Sequence, residues 1–397
     1  MYLSNQELEL RKFVAPEIIT GDGASLLAAR YLAHFGSRRP LLVTDKHVRI
    51  QPWFEEIVDS IQSTVDSLII FDEVTANPKD YEAMKGAELF LAHECDMIIA
   101  VGGGSPMDAA KCISIVSTNG GHILAYEGVD QINLPGPPLI CIPSTSGTAA
   151  DISQFAIIND TEMRIKKAII SKMVVPDLAL IDPRPLMTMD PYLTACTGMD
   201  ALTHAIEAYV SNAHSTLTDI HALEGIRLVN NYLEAAVHED SSVEIMYQMM
   251  IASTQAGLAF SNASLGAVHA MAHSLGGLLQ LPHGECNSIL LEHVIDLNFE
   301  SVPERYINIA KYMGIHMDGL SPSEVKEKLI HRISSLRETI GIPPYIFVAE
   351  LDQLQRSVLV EATLNDPCIV TNPRELTEKE VGDIFDRIIQ TTKEEIQ

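Results

Sequence analysis

The chain has 397 residues, of which 47% are hydrophobic and 20% charged, and its formal net charge is −26. That composition belongs to a folded protein with enough apolar mass for more than one core, not to a disordered chain. A surface this acidic repels phosphate backbones and anionic headgroups, which argues against nucleic acid and membranes as partners and leaves small molecules.

The first twelve residues carry Glu7, Glu9 and Arg11 without an apolar core, unlike a secretory leader, and no apolar run reaches the ~20 residues that cross a bilayer. Continuous apolar runs then mark buried strands at Pro40 to Asp45, Ser67 to Phe71, Met97 to Val101 and Leu139 to Pro143. Helical patterns lie between them, as at Trp53 to Ser63 and Tyr81 to His93, so the reading is a parallel sheet covered on both faces. A hairpin is predicted from Phe155 to Ile158 and Lys167 to Ile170, turning at Asn159-Asp160. Beyond the proline-rich stretch at 183–191 strand-like runs cease. Helical patterns follow at Tyr192 to Ser211, Thr216 to His238, Ser242 to Phe260 and Ala267 to Leu279, and dominate from Val302 onward. The predicted architecture is an α/β Rossmann-like domain over 1–185 and an all-α domain over 186–397, with the site in the cleft between them. The six cysteines (Cys95, Cys112, Cys141, Cys196, Cys286 and Cys368) are scattered, with no Cys-x-x-Cys pair, which fits a reducing, cytoplasmic setting.

Two turns at strand ends suit a phosphate-bearing ligand. Gly102-Gly103-Gly104-Ser105-Pro106 follows a strand and opens a helix, where free N–H groups and the positive end of the dipole gather. It is not the Rossmann fingerprint, since Met107 stands where the third glycine falls, and it is not a Walker A loop. Pro143-Ser144-Thr145-Ser146-Gly147-Thr148 also follows a strand and offers four hydroxyls, which equally can satisfy their own backbone. Asp45, after the first strong strand, can accept from ribose hydroxyls and repel a 2′-phosphate, or simply cap a helix.

In the helical half, Asp200 and His204 lie one turn apart on a face of small and apolar neighbours. His269 and His273 repeat the spacing, and His283 follows in Leu281-Pro282-His283-Gly284. A carboxylate with imidazoles suits a divalent first-row metal, although spacing alone does not choose between His269 and His273. Glu207, His214, His221, His238 and His293 read as surface or packing residues.

Taken together, the glycine turn with Asp108 and Lys111, the loop from Ser144 to Thr148, Gly198 to Tyr209, Phe260 to His283 and Asn372-Pro373-Arg374 resemble the iron-containing (group III) alcohol dehydrogenases over essentially the whole chain. The hydroxyl loop departs from that family's usual Pro-Thr-Thr-Ala-Gly-Thr and terminal glutamate, with Ser144, Ser146 and Asp151 in place. The resemblance implies a metal held by Asp200, His204, His269 and His283, with iron(II) first and zinc or manganese possible. It implies His273 as a proton-handling neighbour. Dinucleotide contacts are implied at Asp45, Gly103, Gly104, Ser105, Ser144, Thr145 and Lys166, with Asp45 favouring NAD over NADP. The implied reaction is hydride transfer between NAD(H) and a small alcohol or aldehyde, a short primary alcohol or diol, in a homodimer or larger assembly. A zinc-dependent polyol dehydrogenase or a non-redox relative is the alternative. Phe260, close before the histidine helix, is a candidate for lining the substrate pocket.

Overall fold

A strand buried on both faces needs apolar side chains at every position, and the runs found in the sequence meet that condition. The computed structural model describes residues 10–391 apart from 164, 239, 240, 280, 349 and 350, so most of the first twelve residues considered above lie outside the described residues. Nine strands precede residue 182 among them: β1 (Glu17–Thr20), β2 (Pro40–Asp45), β3 (Ile69–Val74), β4 (Met97–Gly102), β5 (Gly128–Val129), β6 (Leu139–Pro143), β7 (Phe155–Asp160), β8 (Ile165–Ile170) and β9 (Leu178–Ile181). A six-stranded sheet runs in the order β1-β9-β6-β4-β2-β3 with every pair parallel.

Side-chain alternation divides this sheet between two cores. Leu41, Val43, Ile98 and Ala100 pack with Ala83, Ala87 and Ala109 from the helices Asp80–Ala92 and Gly104–Asn119. Leu42, Met97, Ile99 and Val101 face the other way, onto Ala28, Leu32, Phe54 and Ile57 of the helices Ala28–Phe35 and Pro52–Gln62.

The hairpin is longer than predicted. β7 and β8 pair antiparallel with Asn159 opposite Lys166 and Asp160 opposite Ile165, so the turn comes after Asp160. Asp160 makes that turn itself, since its Oδ1 accepts from the N–H groups of Glu162 (3.0 Å) and Met163 (2.9 Å). β5 extends the hairpin by pairing in parallel with β8.

From Pro191 the chain is helical, with Pro191–Val210, Thr216–Ala236, Val243–Ala263, Ala267–Leu279 and His283–Asn298 in succession. The exceptions among the described residues are two strands too short to announce themselves by alternation, β10 (Ile346–Val348) and β11 (Ile389–Thr391), which pair in parallel. Asp190 starts the Pro191–Val210 helix by accepting from the N–H groups of Tyr192 and Leu193, with Pro191 at its first position. Every residue of that helix from Thr194 to Val210 is buried, because small and apolar residues surround it on all sides. Its core takes in Ala149, Ile152, Ala179 and Ile181 from the α/β part, so the hydroxyl loop and the end of β9 are packed directly onto the helices. No helix among the described residues is long and apolar enough to cross a membrane.

Gly147 is a tight point of that junction: a Cβ there meets the carbonyl oxygen of Thr197 at 2.8 Å and its Cα at 2.9 Å. Backbone cannot swing aside as a side chain can, so Gly147→Ala is expected to cost about 1–3 kcal/mol. It should lower the thermal midpoint, and an unchanged midpoint would show that the loop does not press on the helix.

Candidate active site

The parallel order of the sheet brings Asp45 and the two turns to one edge. β2, β4 and β6 are neighbours, Val43 pairs with Ala100, and Gly102 pairs with Pro143. The glycine turn and the hydroxyl loop therefore leave adjacent strands side by side, joined by the Ser144 N–H donating to the Gly102 carbonyl at 2.8 Å. Gly102 sits at φ +149°, open to glycine and rare for other residues. An added Cβ on Gly103 would lie 3.2 Å from the Thr145 methyl, and one on Gly104 would lie 3.0 Å from both Thr148 Cγ2 and Oγ1. The helix Gly104–Asn119 starts there with no side chain capping its first N–H groups. Crowded glycines and an uncapped helix start form a cradle that fits a pyrophosphate. Ser105 Oγ is already engaged, accepting from the Asn77 N–H at 3.2 Å. Asp45 does cap a helix, its Oδ1 accepting from the N–H groups of His47 (2.8 Å) and Val48 (2.9 Å), while its second oxygen has no partner among the described residues.

Lys111, on the glycine-turn helix, is fully buried. Its Nζ donates to the carbonyls of Ser153 (2.9 Å) and Phe155 (2.7 Å) and to Ser153 Oγ (3.3 Å), tying the helix to the segment that follows the hydroxyl loop. Burial pulls its ammonium down, opposed by Asp108, Cys141 and Asp151. Burial likewise pushes Asp108 and Asp151 up to about 6, with Lys111 pulling the other way. Asp151, which departs from the family's glutamate, is thus a buried counter-charge to Lys111. Lys166 on β8 reaches between the two halves. Burial lowers its pKa, and the opposing attraction comes from Cys286, from Asp108 of the glycine helix and from Asp200 of the helical half.

In the helical half, three helices converge on one oxygen. Asp200 Oδ1 lies 3.8 Å from His204 Nε2, 3.6 Å from His269 Nε2 and 3.8 Å from His283 Nε2. Asp200, His269 and His283 offer donor atoms that all fall within 4.8 Å of one another. His204 lies against this trio, its ring between Phe260 (4.3 Å between centroids) and His269 (4.4 Å). Phe260 itself is buried at 4% exposure, one face spent on His204 and its ring tilted against Phe155 with centroids 5.8 Å apart.

This set fits a divalent cation on its own terms. Burial presses His204 down to about 3 and His283 well below the usual imidazole range, so both are neutral ligands in kind. Burial also disfavours charge on His269, but Asp200 and Glu207 on its two sides outweigh it and raise it to about 9. Against the cost of burial, the three imidazoles hold the Asp200 carboxyl far below its ordinary range. The cage therefore attracts positive charge, and the Nδ2 of Asn287 lies among three of its four members. It donates to Asp200 Oδ1 at 2.7 Å and lies 3.2 Å from Nε2 of both His269 and His283, a cation's role taken by an amide. Among the described residues, the Nδ1 of His283 and the Oδ1 of Asn287 are buried without hydrogen-bond partners, while the backbone of Gly147 faces His204.

His273 is set apart from this convergence. Its ring stacks on His283 at 5.3 Å, and its Nδ1 pairs with Asp366 Oδ2 at 2.9 Å. Burial works against the Asp366 carboxylate, but His273 and the N–H of Cys368 hold it below its ordinary range. Geometry alone thus separates the two histidines that spacing left equivalent.

One sequence reading is corrected. Glu207 is neither surface nor mere packing: it is 3% exposed, and its Oε2 meets His269 Nδ1 at 2.6 Å. A signal for it was present, since Asp200, His204 and Glu207 fall at i, i+4 and i+7 on a helix otherwise built of small and apolar residues. Asn287 stands one turn after His283 on the same helix, whereas Asp366, which lies between two elements, gave no such signal. His221 and His214 make contacts elsewhere, His221 bonded to Gln255 (2.6 Å) and His214 paired with Asp219 (3.3 Å).

Comparison with known proteins agrees in both halves. The profile described as iron-containing alcohol dehydrogenase matches residues 15–183, and the one described as the C-terminal part of the Fe-containing alcohol dehydrogenase family matches residues 194–389. The chain is 38% identical over 352 residues to 1,3-propanediol dehydrogenase of Citrobacter freundii, covering 88% of this chain and 91% of that one. It is 33% identical over 373 residues to NAD-dependent methanol dehydrogenase of Bacillus methanolicus, covering 94% and 98%. The solved structure of a 1,3-propanediol oxidoreductase matches with a TM-score of 0.91 at 35% identity, covering 96% of this chain and all 100% of that one. With both halves of the chain matched and the fold shared, the chain belongs to the iron-containing alcohol dehydrogenase family.

Proposed function

We propose that this protein transfers hydride between NAD(H) and a small alcohol or aldehyde, a short primary alcohol or diol, at a metal held by Asp200, His204, His269 and His283. The observation that carries the reading is the convergence of three Nε2 atoms on Asp200 Oδ1, in the half of the chain that faces the pyrophosphate-sized cradle through Lys166. Residues 1–185 then serve the coenzyme and 186–397 the metal and substrate. Gly102, Gly103, Gly104 and Ser105 would hold the pyrophosphate, with Ser144, Thr145 and Lys166 as further contacts to the dinucleotide. The donor set suits iron(II), with zinc and manganese acceptable to the same ligands. Family membership supports the activity, as do relatives named for 1,3-propanediol and for NAD-dependent methanol oxidation. The six free, buried cysteines support a cytoplasmic setting, and a homodimer or larger homo-oligomer is part of the same reading.

When bound, the metal supplies Lewis acidity to the substrate oxygen and the nicotinamide accepts or donates the hydride. The protein's own part is to orient and to move a proton. Asp366 accepts from Nδ1–H of His273, which leaves Nε2 of that ring to take the alcohol's proton and hand it to solvent, and to return it in the reductive direction. Phe260 and Phe155 form the apolar wall beside His204, which keeps the substrate end of the cleft poor in water.

His269→Ala removes one donor from a buried cage and leaves the strand-end cradle untouched. It should strip the metal, measured by elemental analysis, while calorimetry still finds NAD binding within a few-fold of the parent; metal retained at parental content would sink the ligand set. Asp45→Ser keeps an oxygen to cap the short helix but removes the charge that repels a 2′-phosphate. The ratio of kcat/KM for NAD over NADP should fall by about an order of magnitude, roughly 1.4 kcal/mol. An unchanged ratio would leave Asp45 as a helix cap alone.

A further inference from the structure

The Asn372-Pro373-Arg374 segment and Glu207 have no part in the reaction as described, yet both end at the start of the helix that carries His269. That helix, Ala267–Leu279, begins after Gly266, and its first N–H groups are met by side chains from far along the chain. The Ala267 N–H donates to Asn372 Oδ1 at 3.3 Å, and the Val268 N–H donates to Glu207 Oε1 at 2.6 Å. Both acceptors are buried, Glu207 at 3% and Asn372 at 3% exposure. Gly266 makes room for them, since a Cβ there would lie 3.0 Å from Glu207 Oε1 and 3.1 Å from Asn372 Oδ1. Asn372 is fixed in turn by a reciprocal amide pair with Asn298 (2.8 and 3.1 Å) and by donating to the Arg374 carbonyl at 2.7 Å.

Glu207 has a second task. Its other oxygen, Oε2, meets His269 Nδ1 at 2.6 Å. A carboxylate accepts at both oxygens, so Nδ1 carries a hydrogen and Nε2 is the atom left to a cation, on the side of Asp200, 3.6 Å away. We propose that Glu207 and Asn372 are positioning residues for the metal site: together they cap the histidine helix from outside, and Glu207 alone fixes the tautomer that makes His269 a ligand. The inference rests on the reading of His269 as a ligand.

An amide at 207 separates the two tasks. Glutamine has one acceptor oxygen where two N–H groups now converge, so it satisfies either the Val268 backbone or His269 Nδ1, never both. When the backbone takes the oxygen, the amide N–H turns toward Nδ1 and drives the imidazole hydrogen onto Nε2, the ligating atom. The test is Zn(II) affinity by competition with a chelator, with the thermal midpoint of the metal-free protein, for Glu207→Gln, Asn372→Ala and His269→Ala. Glu207→Gln should bind Zn(II) about 10–100-fold more weakly, in the range of lost outer partners of metal-bound histidines, while its metal-free form still folds. Asn372→Ala should lower the metal-free midpoint and weaken Zn(II) less than Glu207→Gln does. Parental Zn(II) affinity in Glu207→Gln overturns the tautomer role, and so does a metal-free form that fails to fold, since the residue would then hold the core and not the ligand. A parental midpoint in Asn372→Ala overturns its share of the cap. Zn(II) retained by His269→Ala would instead refute the ligand reading itself, which keeps the two failures apart.

Discussion

A single buried carboxylate oxygen organises the helical half of this molecule. Asp200 Oδ1 sits where three helices meet, with one histidine arriving from its own helix, one from Ala267–Leu279 and one from the start of His283–Asn298. An ionised carboxylate has no place in such an apolar core without compensation. The surrounding residues supply it: His269 is pulled up by carboxylates on both sides and Asn287 donates an amide N–H, while burial keeps His204 and His283 neutral beside them. The packing obeys the same constraint. The helix that carries Asp200 is buried almost throughout, so its position is set by the whole core, and its polar side chains are held where the core leaves them.

The second half of the site is built by topology. Parallel strands deliver their loops to one edge, and the pairing of Gly102 with Pro143 sets the glycine turn beside the hydroxyl loop without any contribution from the side chains that touch a ligand. Lys111 then locks the arrangement by donating to three oxygens of Ser153 and Phe155, which fixes the far end of the hydroxyl loop to the glycine helix. Since Ala149 and Ile152 of that same segment belong to the helical core, the coenzyme cradle and the metal cage are held by one continuous piece of packing. Hydride transfer needs that rigidity, because donor and acceptor carbons react only when held close and aligned.

Much of this was legible in the sequence because it is written locally. Continuous apolar runs name buried parallel strands, and the strand-glycine-helix order names the cradle. Histidines at i and i+4 on apolar helices name the cage, although they do not say which of His269 and His273 faces inward; that follows from the rotation of the helix against its neighbours, which puts Asp366 beside His273. What was illegible depends on contacts across long separations. Glu207 is unremarkable until His269, 62 residues on, comes to lie 2.6 Å away. Asn372 is a polar residue of ordinary type whose partners the fold alone supplies. The hairpin turn was misplaced by a few residues because Asp160 both ends a strand and makes the turn after it. β10 and β11 are too short for alternation to register.

The most direct measurement is turnover by the intact protein, purified without oxygen, with NADH absorbance followed against short primary alcohols and diols and, in reverse, against the matching aldehydes. The account predicts NADH formation that stops when a chelator removes the metal and returns when iron(II) is restored. Hydride transfer that persists after complete metal removal, or a fully loaded metal site that reduces and oxidises none of these substrates, would contradict it.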